Sequence, residues 1–410
     1  MDDIISQGAE RGPGGGRRRL VLAVVVLVVL AVLVIRHLPS GSPARHRPRR
    51  ESAAGVPPGA PAAVAAGLAG RAVGITGPTA PWPGALMLPS AGEQPSWFWP
   101  GSGRRELIAG LPASKVGYVF TRVGGGWAVQ PDPIAPTGCG GCAVTAVPAY
   151  FLADGARSAR LVGSANAVAP AATPAAVWLT SYRPGTDLGT ARGDAVEVSA
   201  SGKRLAAPVR LPAGRSVVQG TARGLLLAPV VQPGGLATSE LWDPATGSAA
   251  ATFTGVIAAS ASEVAWTGRC GTRCQVHVLD LATGRLSEFG LAPGSTAVNG
   301  AFSPDGRYLA VQVSFGSGGD GGALAMEIQL GALTASPGPP LTGGRLATVP
   351  GTWVSSDALA GFGWPDGTDL LVAELIFPAK VQIAAWRPDA ARPALRLVRP
   401  DEAPLSLAVG

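Results

Sequence analysis

Histidine and lysine are equally scarce in this 410-residue chain, with three of each, and the histidines are His37, His46 and His277. His37 and His46 sit in the basic N-terminal region, so a Ser-His-Asp triad would have to use His277, and no G-x-S-x-G elbow accompanies it. The H-E-x-x-H zinc motif and the Walker phosphate loop are also missing. Charged residues make up only 14% of the chain, and the excess of positive charge is localised. Residues 1–50 carry nine arginines and three acids, which is +6 of the total +7. A nucleic-acid binder concentrates its positive charge on the folded surface that meets phosphate. Here the charge flanks an apolar run, so the high pI is no argument for DNA or RNA, and no nucleic-acid partner is expected. Most acids fall in turns (Asp154, Asp243, Asp280, Asp305, Asp366), where turn formation accounts for them, and no paired-carboxylate signature is legible. Gly316-Ser317-Gly318-Gly319-Asp320-Gly321 fits G-x-G-x-x-G, but the dinucleotide fingerprint needs a helix after it and Ala323–Leu330 reads as a strand. No cofactor and no metal site are expected.

What the chain does contain begins with Leu20–Ile35, sixteen residues without a polar side chain. At about 1.5 Å per residue the run covers roughly 24 Å, and Arg19 and Arg36 can snorkel to opposite interfaces to close the gap to a hydrocarbon core of about 30 Å. A single transmembrane helix over residues 20–36 is expected, after a short cytoplasmic basic stub at 1–19. The alternative is a cleaved signal peptide with Ser42-Pro43-Ala44 as its cleavage site, although that site lies beyond Arg36 and well past the apolar run. Arginines on both sides of the run leave its orientation undecided by charge. Residues 37–81, rich in Pro, Ala and Gly, read as a disordered tether that cannot bury enough apolar surface to offset its ordering entropy.

From Trp82 to Gly410 the composition changes to short β-rich runs divided by turn residues, in keeping with 58 glycines and 38 prolines. Candidate outer turns recur at Gly103, Gly155, Gly202, Gly247 and Gly284 and again at Asp389, with one weak turn near Ser336-Pro337-Gly338 before the last, a mean step of about 48 residues. The most informative stretch is Ala301–Val313, AFSPDGRYLAVQV, in which Ser303-Pro304-Asp305-Gly306 makes a tight turn between two apolar strands. Pro365-Asp366-Gly367 repeats it. This phrase resembles the repeats of TolB-type and WD40-like β-propellers. The resemblance implies an all-β fold of four-stranded blades; the spacing favours seven blades and leaves six open. Six inner hairpins are legible, near 117–126, 166–182, 217–227, 256–266, 302–311 and 362–372. A further blade is expected to be shared between the termini, with strands at 85–89, 96–99 and 106–112 and a closing strand at 404–409. Closure of this kind removes the open edge of a linear stack.

The four cysteines form two local pairs, Cys139/Cys142 and Cys270/Cys274, each between the second and third strands of a blade. A redox motif would need a helix N-terminus, and a four-cysteine zinc site would need pairs closer than about three blades. Two hairpin-clamping disulfides are the reading that remains. They favour an oxidising compartment and therefore an extracytoplasmic domain. Trp97-Phe98-Trp99 is the densest aromatic patch. Trp97 and Trp99 share one face of a strand, either for packing between blades or as a partner-binding surface. These features together lead to the expectation of a cell-membrane protein, single-pass with its N-terminus cytoplasmic. Its propeller would act as a non-enzymatic binding or scaffold module for a protein partner in the cell envelope, which is also how TolB-like proteins work. The alternatives are a propeller hydrolase or lyase acting on envelope polysaccharide and a ligand-binding sensor.

Overall fold

The computed structural model describes residues 85–88, 94–99, 104–114, 117–132, 142–231, 236–268, 270, 274–291, 294–315, 325–333, 353–355, 358–364, 370–376, 380–386 and 406–408. The expected membrane helix at 20–36, the tether at 37–81, Cys139, the glycine loop at 316–321 and the second Pro-Asp-Gly turn at 365–367 lie outside them. No helix among the described residues is long and apolar enough to cross a membrane.

Those residues form antiparallel sheets in chain order. The first sheet has β1 (Ala85–Leu88), β2 (Ser96–Trp99) and β3 (Arg104–Leu107); the second has β4 (Tyr118–Val123), β5 (Gly126–Pro131), β6 (Val147–Ala153) and β7 (Arg160–Ala165). The third is β8 (Ala167–Pro170), β9 (Ala176–Ser181), β10 (Arg192–Ser199) and β11 (Val209–Ala213). The fourth is β12 (Arg215–Thr221), β13 (Gly224–Pro229), β14 (Thr238–Asp243) and β15 (Ser248–Thr254). The fifth is β16 (Val256–Ala259), β17 (Glu263–Trp266), β18 (Gln275–Asp280) and β19 (Leu286–Gly290). The sixth is β20 (Ser295–Phe302), β21 (Tyr308–Phe315), β22 (Ala325–Ala332) and β23 (Trp353–Ser355). The seventh has β24 (Ala358–Gly363), β25 (Leu370–Ile376) and β26 (Lys380–Trp386), and the last strand, β27 (Ser406–Ala408), pairs with β1 to complete the first sheet.

Each sheet is a meander, and neighbouring sheets meet through their first strands. β8 packs on β4 and β12, β16 on β20, and β24 on both β20 and β27. This is a β-propeller arrangement, and all six expected inner hairpins are present. Burial explains the sequence pattern. The second strand of a sheet is covered on both faces by its neighbours, so β5 and β9 are buried over five consecutive residues and read as unbroken apolar runs. The outermost strands are wetter, as in β15, where Ser248, Ala249 and Ala250 are exposed. The innermost strands β12, β16, β20 and β24 each carry a register shift near the same level, at Val217/Gln219, Val256/Ala258, Ala297/Asn299 and Leu359/Gly361. A bulge there increases local twist where strands crowd together.

The Ser-Pro-Asp-Gly turn follows the physics read from its sequence. Ser303 Oγ donates to Asp305 Oδ1 at 2.6 Å and accepts from the Tyr308 N–H at 2.8 Å, while Asp305 Oδ1 also accepts from the Arg307 N–H at 3.0 Å. One boundary differs from expectation. The third strand ends at Leu107 and does not run to 112, because Ile108 and Leu111 turn inward into the core shared with the second sheet. Gly110 permits that turn with φ of +81°, and a Cβ there would stand 2.5 Å from the Ala159 carbonyl oxygen.

Candidate active site

The sites picked out in sequence are structural in placement. Cys270 and Cys274 are joined in a disulfide, Cα atoms 4.6 Å apart, in the loop between β17 and β18. Cys142 is also disulfide-bonded and precedes β6. Trp97 is buried, with its indole N–H donated to the Ala156 carbonyl at 2.7 Å, and Trp99 is half-buried beneath the Arg104 guanidinium, 3.8 Å from the ring centroid. The Trp97 face therefore packs between sheets instead of presenting an open aromatic surface. His277 on β18 stacks on Trp266 at 5.3 Å and faces Glu288 Oε1 at 3.2 Å.

A pair of carboxyl groups stands at a position that sequence reading passed over. Glu263 opens β17, and its backbone partner across the sheet is Asp280 at the end of β18. Directly opposed residues on antiparallel strands have Cβ atoms about 4.5–5.5 Å apart, so two carboxyl groups share one patch of the sheet end. Local turns fix both. Ser260 Oγ accepts from the Glu263 N–H at 3.0 Å, and the Ser260 N–H donates to the Glu263 carbonyl at 2.8 Å, closing the inner hairpin. Asp280 begins the outer turn Asp280-Leu281-Ala282-Thr283-Gly284, its Oδ1 accepting from the N–H groups of Ala282 at 2.8 Å and Thr283 at 3.1 Å.

The two environments push ionisation apart. Burial, reinforced by the negative charge of Asp280 and opposed by Arg285, raises Glu263 to about 7. Its Oε2 is buried without a hydrogen-bond partner, and a Cβ placed on Gly306 of the neighbouring sheet would lie 3.9 Å from it. Burial also acts upward on Asp280, but the Thr283 and Ala282 hydrogen bonds and the Arg285 charge outweigh it and hold that carboxyl below its usual range. Near neutral pH the pair thus contains an acid that retains its proton in part and a carboxylate that does not, the division of labour that acid–base catalysis needs. The signal was present in the sequence. The second strands of the other six-hairpin set begin with Gly126, Ala176, Gly224, Tyr308 and Leu370, and Glu263 is the one acid at that position.

This pair has a consequence for stability. Below the unfolded-state value of about 4.5, Glu263 is protonated in both folded and unfolded chains and carries no penalty. As pH rises toward 7 the unfolded chain ionises first, so stability falls, and the loss is complete above about 7. The group is partly exposed, and after discounting for solvent the loss is about 1–2 kcal/mol. Glu263→Gln is expected to match wild type in thermal unfolding at pH 4–5 and to exceed it at pH 8–9. Parallel stability–pH curves for the two proteins would refute the assignment.

No protein-family model matches the chain, and no curated protein matches it in sequence. Solved structures similar in architecture include a Bacteroides fragilis protein assigned as a 6-phosphogluconolactonase, with 16% identity over 81% of this chain and 99% of that one and a TM-score of 0.41. The periplasmic gluconolactonase of Pseudomonas aeruginosa has 15% identity, coverage of 77% and 99%, and a TM-score of 0.46. TolB from Acinetobacter baumannii has 12% identity, coverage of 61% of each chain and a TM-score of 0.36. These are likenesses of overall architecture, and the propeller assignment rests on the sheets themselves. The expectation of a non-enzymatic scaffold without catalytic groups is corrected. Glu263 and Asp280, opposed across β17 and β18, are the paired carboxylates that the sequence reading had found missing.

Proposed function

We propose that the chain is a seven-bladed propeller hydrolase, held at the cell membrane by residues 20–36 with its propeller outside the cytoplasm, that cleaves a C–O bond in an envelope carbohydrate. The observation that carries the enzymatic reading is the opposed pair Glu263 and Asp280, one carboxyl buried with an unpartnered oxygen and the other held ionised by its turn. The apolar run Leu20–Ile35 supports the anchor, and the disulfide at Cys270–Cys274 supports the compartment. The sheet shared by β1 and β27 supports closure of the ring with seven blades.

In this reaction the Glu263 carboxylic acid gives its proton to the leaving oxygen as the C–O bond breaks. The Asp280 carboxylate takes a proton from the attacking water, whose oxygen forms the new bond to carbon. Solvent then returns each group to its starting state. Because Glu263 must be protonated, the rate is expected to fall as pH rises through about 7.

The test is hydrolysis by the full-length protein in detergent, against gluconolactone and a panel of neutral and acidic oligosaccharides. Glu263→Gln is expected to lose activity by about 100-fold or more, with the alkaline limb of the pH profile removed. Wild-type turnover by the variant, or an inert wild-type protein across the panel, would overturn the proposal.

A further inference from the structure

Beside the carboxylate pair, an arginine from the preceding sheet reaches across with no acidic partner among the described residues. Arg223 lies in the turn between β12 and β13, and three contacts pin that turn. The Ala222 N–H donates to the Ala261 carbonyl in the next sheet's inner hairpin at 2.8 Å, the Arg223 N–H to Thr221 Oγ1 at 3.2 Å, and Thr221 Oγ1 to the Gly224 carbonyl at 2.9 Å. The guanidinium then reaches across to the fifth sheet, where Nη2 donates to the Ala282 carbonyl at 3.3 Å. Ala282 is the residue whose own N–H binds Asp280 Oδ1. A single residue therefore separates the Arg223 cation from the carboxylate that activates water. Among the described residues Arg223 makes no ion pair, and it is exposed, so its remaining donors face solvent at the edge of the site.

We infer that Arg223 binds a carboxylate of the substrate, which makes the substrate an acidic glycan of the uronate type; this rests on the hydrolase reading of Glu263 and Asp280. One edge of the guanidinium is occupied by Ala282, and the fork left over matches one planar carboxylate in a bidentate pair. The same fork also fits phosphate oxygens, so the glucose 6-phosphate arm of the test below separates the two anions. The neighbouring Arg307, over the Tyr308 ring at 5.2 Å, is engaged with Asp305 at 3.8 Å and is less available.

The experiment uses the full-length protein carrying Glu263→Gln, so that binding is measured without turnover. Titration calorimetry compares trigalacturonate, the neutral trisaccharide cellotriose and glucose 6-phosphate. Trigalacturonate is expected to bind at least about tenfold more tightly than cellotriose, with Arg223→Ala removing that difference and leaving the neutral sugar unchanged. Arg223→Lys keeps the charge but not the fork, and is expected to restore only part of it. Equal affinities, no binding of trigalacturonate, or an intact preference in Arg223→Ala would overturn the inference. Preference for glucose 6-phosphate would overturn the carboxylate assignment. A failed hydrolase reading is visible separately, as wild-type protein that binds trigalacturonate through Arg223 and never cleaves it.

Discussion

Removing residues 404–410 is expected to leave the protein aggregated, or less stable by about 3 kcal/mol or more. The segment contains β27, which pairs with β1 through Leu86↔Ala408, Met87↔Leu407 and Leu88↔Ser406. Its loss strips β1 of hydrogen-bond partners on its inner side and takes away the strand on which β24 packs. Backbone groups that were paired then face a gap between the first and last sheets, where water solvates them poorly. The exposed strand edge is also a template for pairing with another copy of the chain. Soluble yield and thermal unfolding of the truncated full-length chain measure the effect. An unchanged melting temperature would show that β27 does not close the ring.

The second large effect is expected at Trp127, fully buried at 0% exposure in the cluster that joins the first and second sheets. Its neighbours there are Trp97, Ile108, Leu111, Tyr118, Val129 and Leu152. Trp127→Ala leaves a cavity in a place that three sequence-distant segments line, and is expected to cost about 3–5 kcal/mol. Trp127→Phe separates shape from polarity. The indole Nε1–H is buried without a hydrogen-bond partner, so phenylalanine removes an unsatisfied donor while keeping an aromatic ring. Its cost is expected to be far below that of alanine. Equal losses for both variants, measured by chemical denaturation, would mean that the ring's position is not what the cluster depends on.

Both effects sit where chain ends and neighbouring sheets meet, and there sequence and structure contributed differently. Inner hairpins were legible because each is local. The turn at Ser303–Gly306 is built from side chains within five residues of one another, and the strands around it declare themselves by apolar runs. The closing strand was legible for a different reason: Leu405–Val409 is a short apolar segment after β26, and a ring of meanders has an open place for it beside β1. The third strand of the first sheet was misplaced because Ile108 and Leu111 look like strand residues. Their burial depends on the second sheet, which no local pattern announces.

The amino-acid sequence alone thus determined the all-β class, the hairpins with their turn chemistry, and the local pairing of Cys270 with Cys274, since each depends on residues close together in the chain. Only the tertiary structure decided what Trp97, Glu263, Asp280 and Arg223 stand beside. Trp97 is a packing residue because Ala156, 59 positions away, takes its indole N–H. Glu263 is an unremarkable first residue of a strand until Asp280 is set opposite it and Gly306 from the next sheet comes within reach of its buried oxygen. Arg223 comes beside the pair only because its guanidinium reaches Ala282, again 59 positions on. Desolvation and charge coupling act through space, so a carboxyl group's ionisation is fixed by neighbours that the fold assembles and not by the residues beside it in the chain.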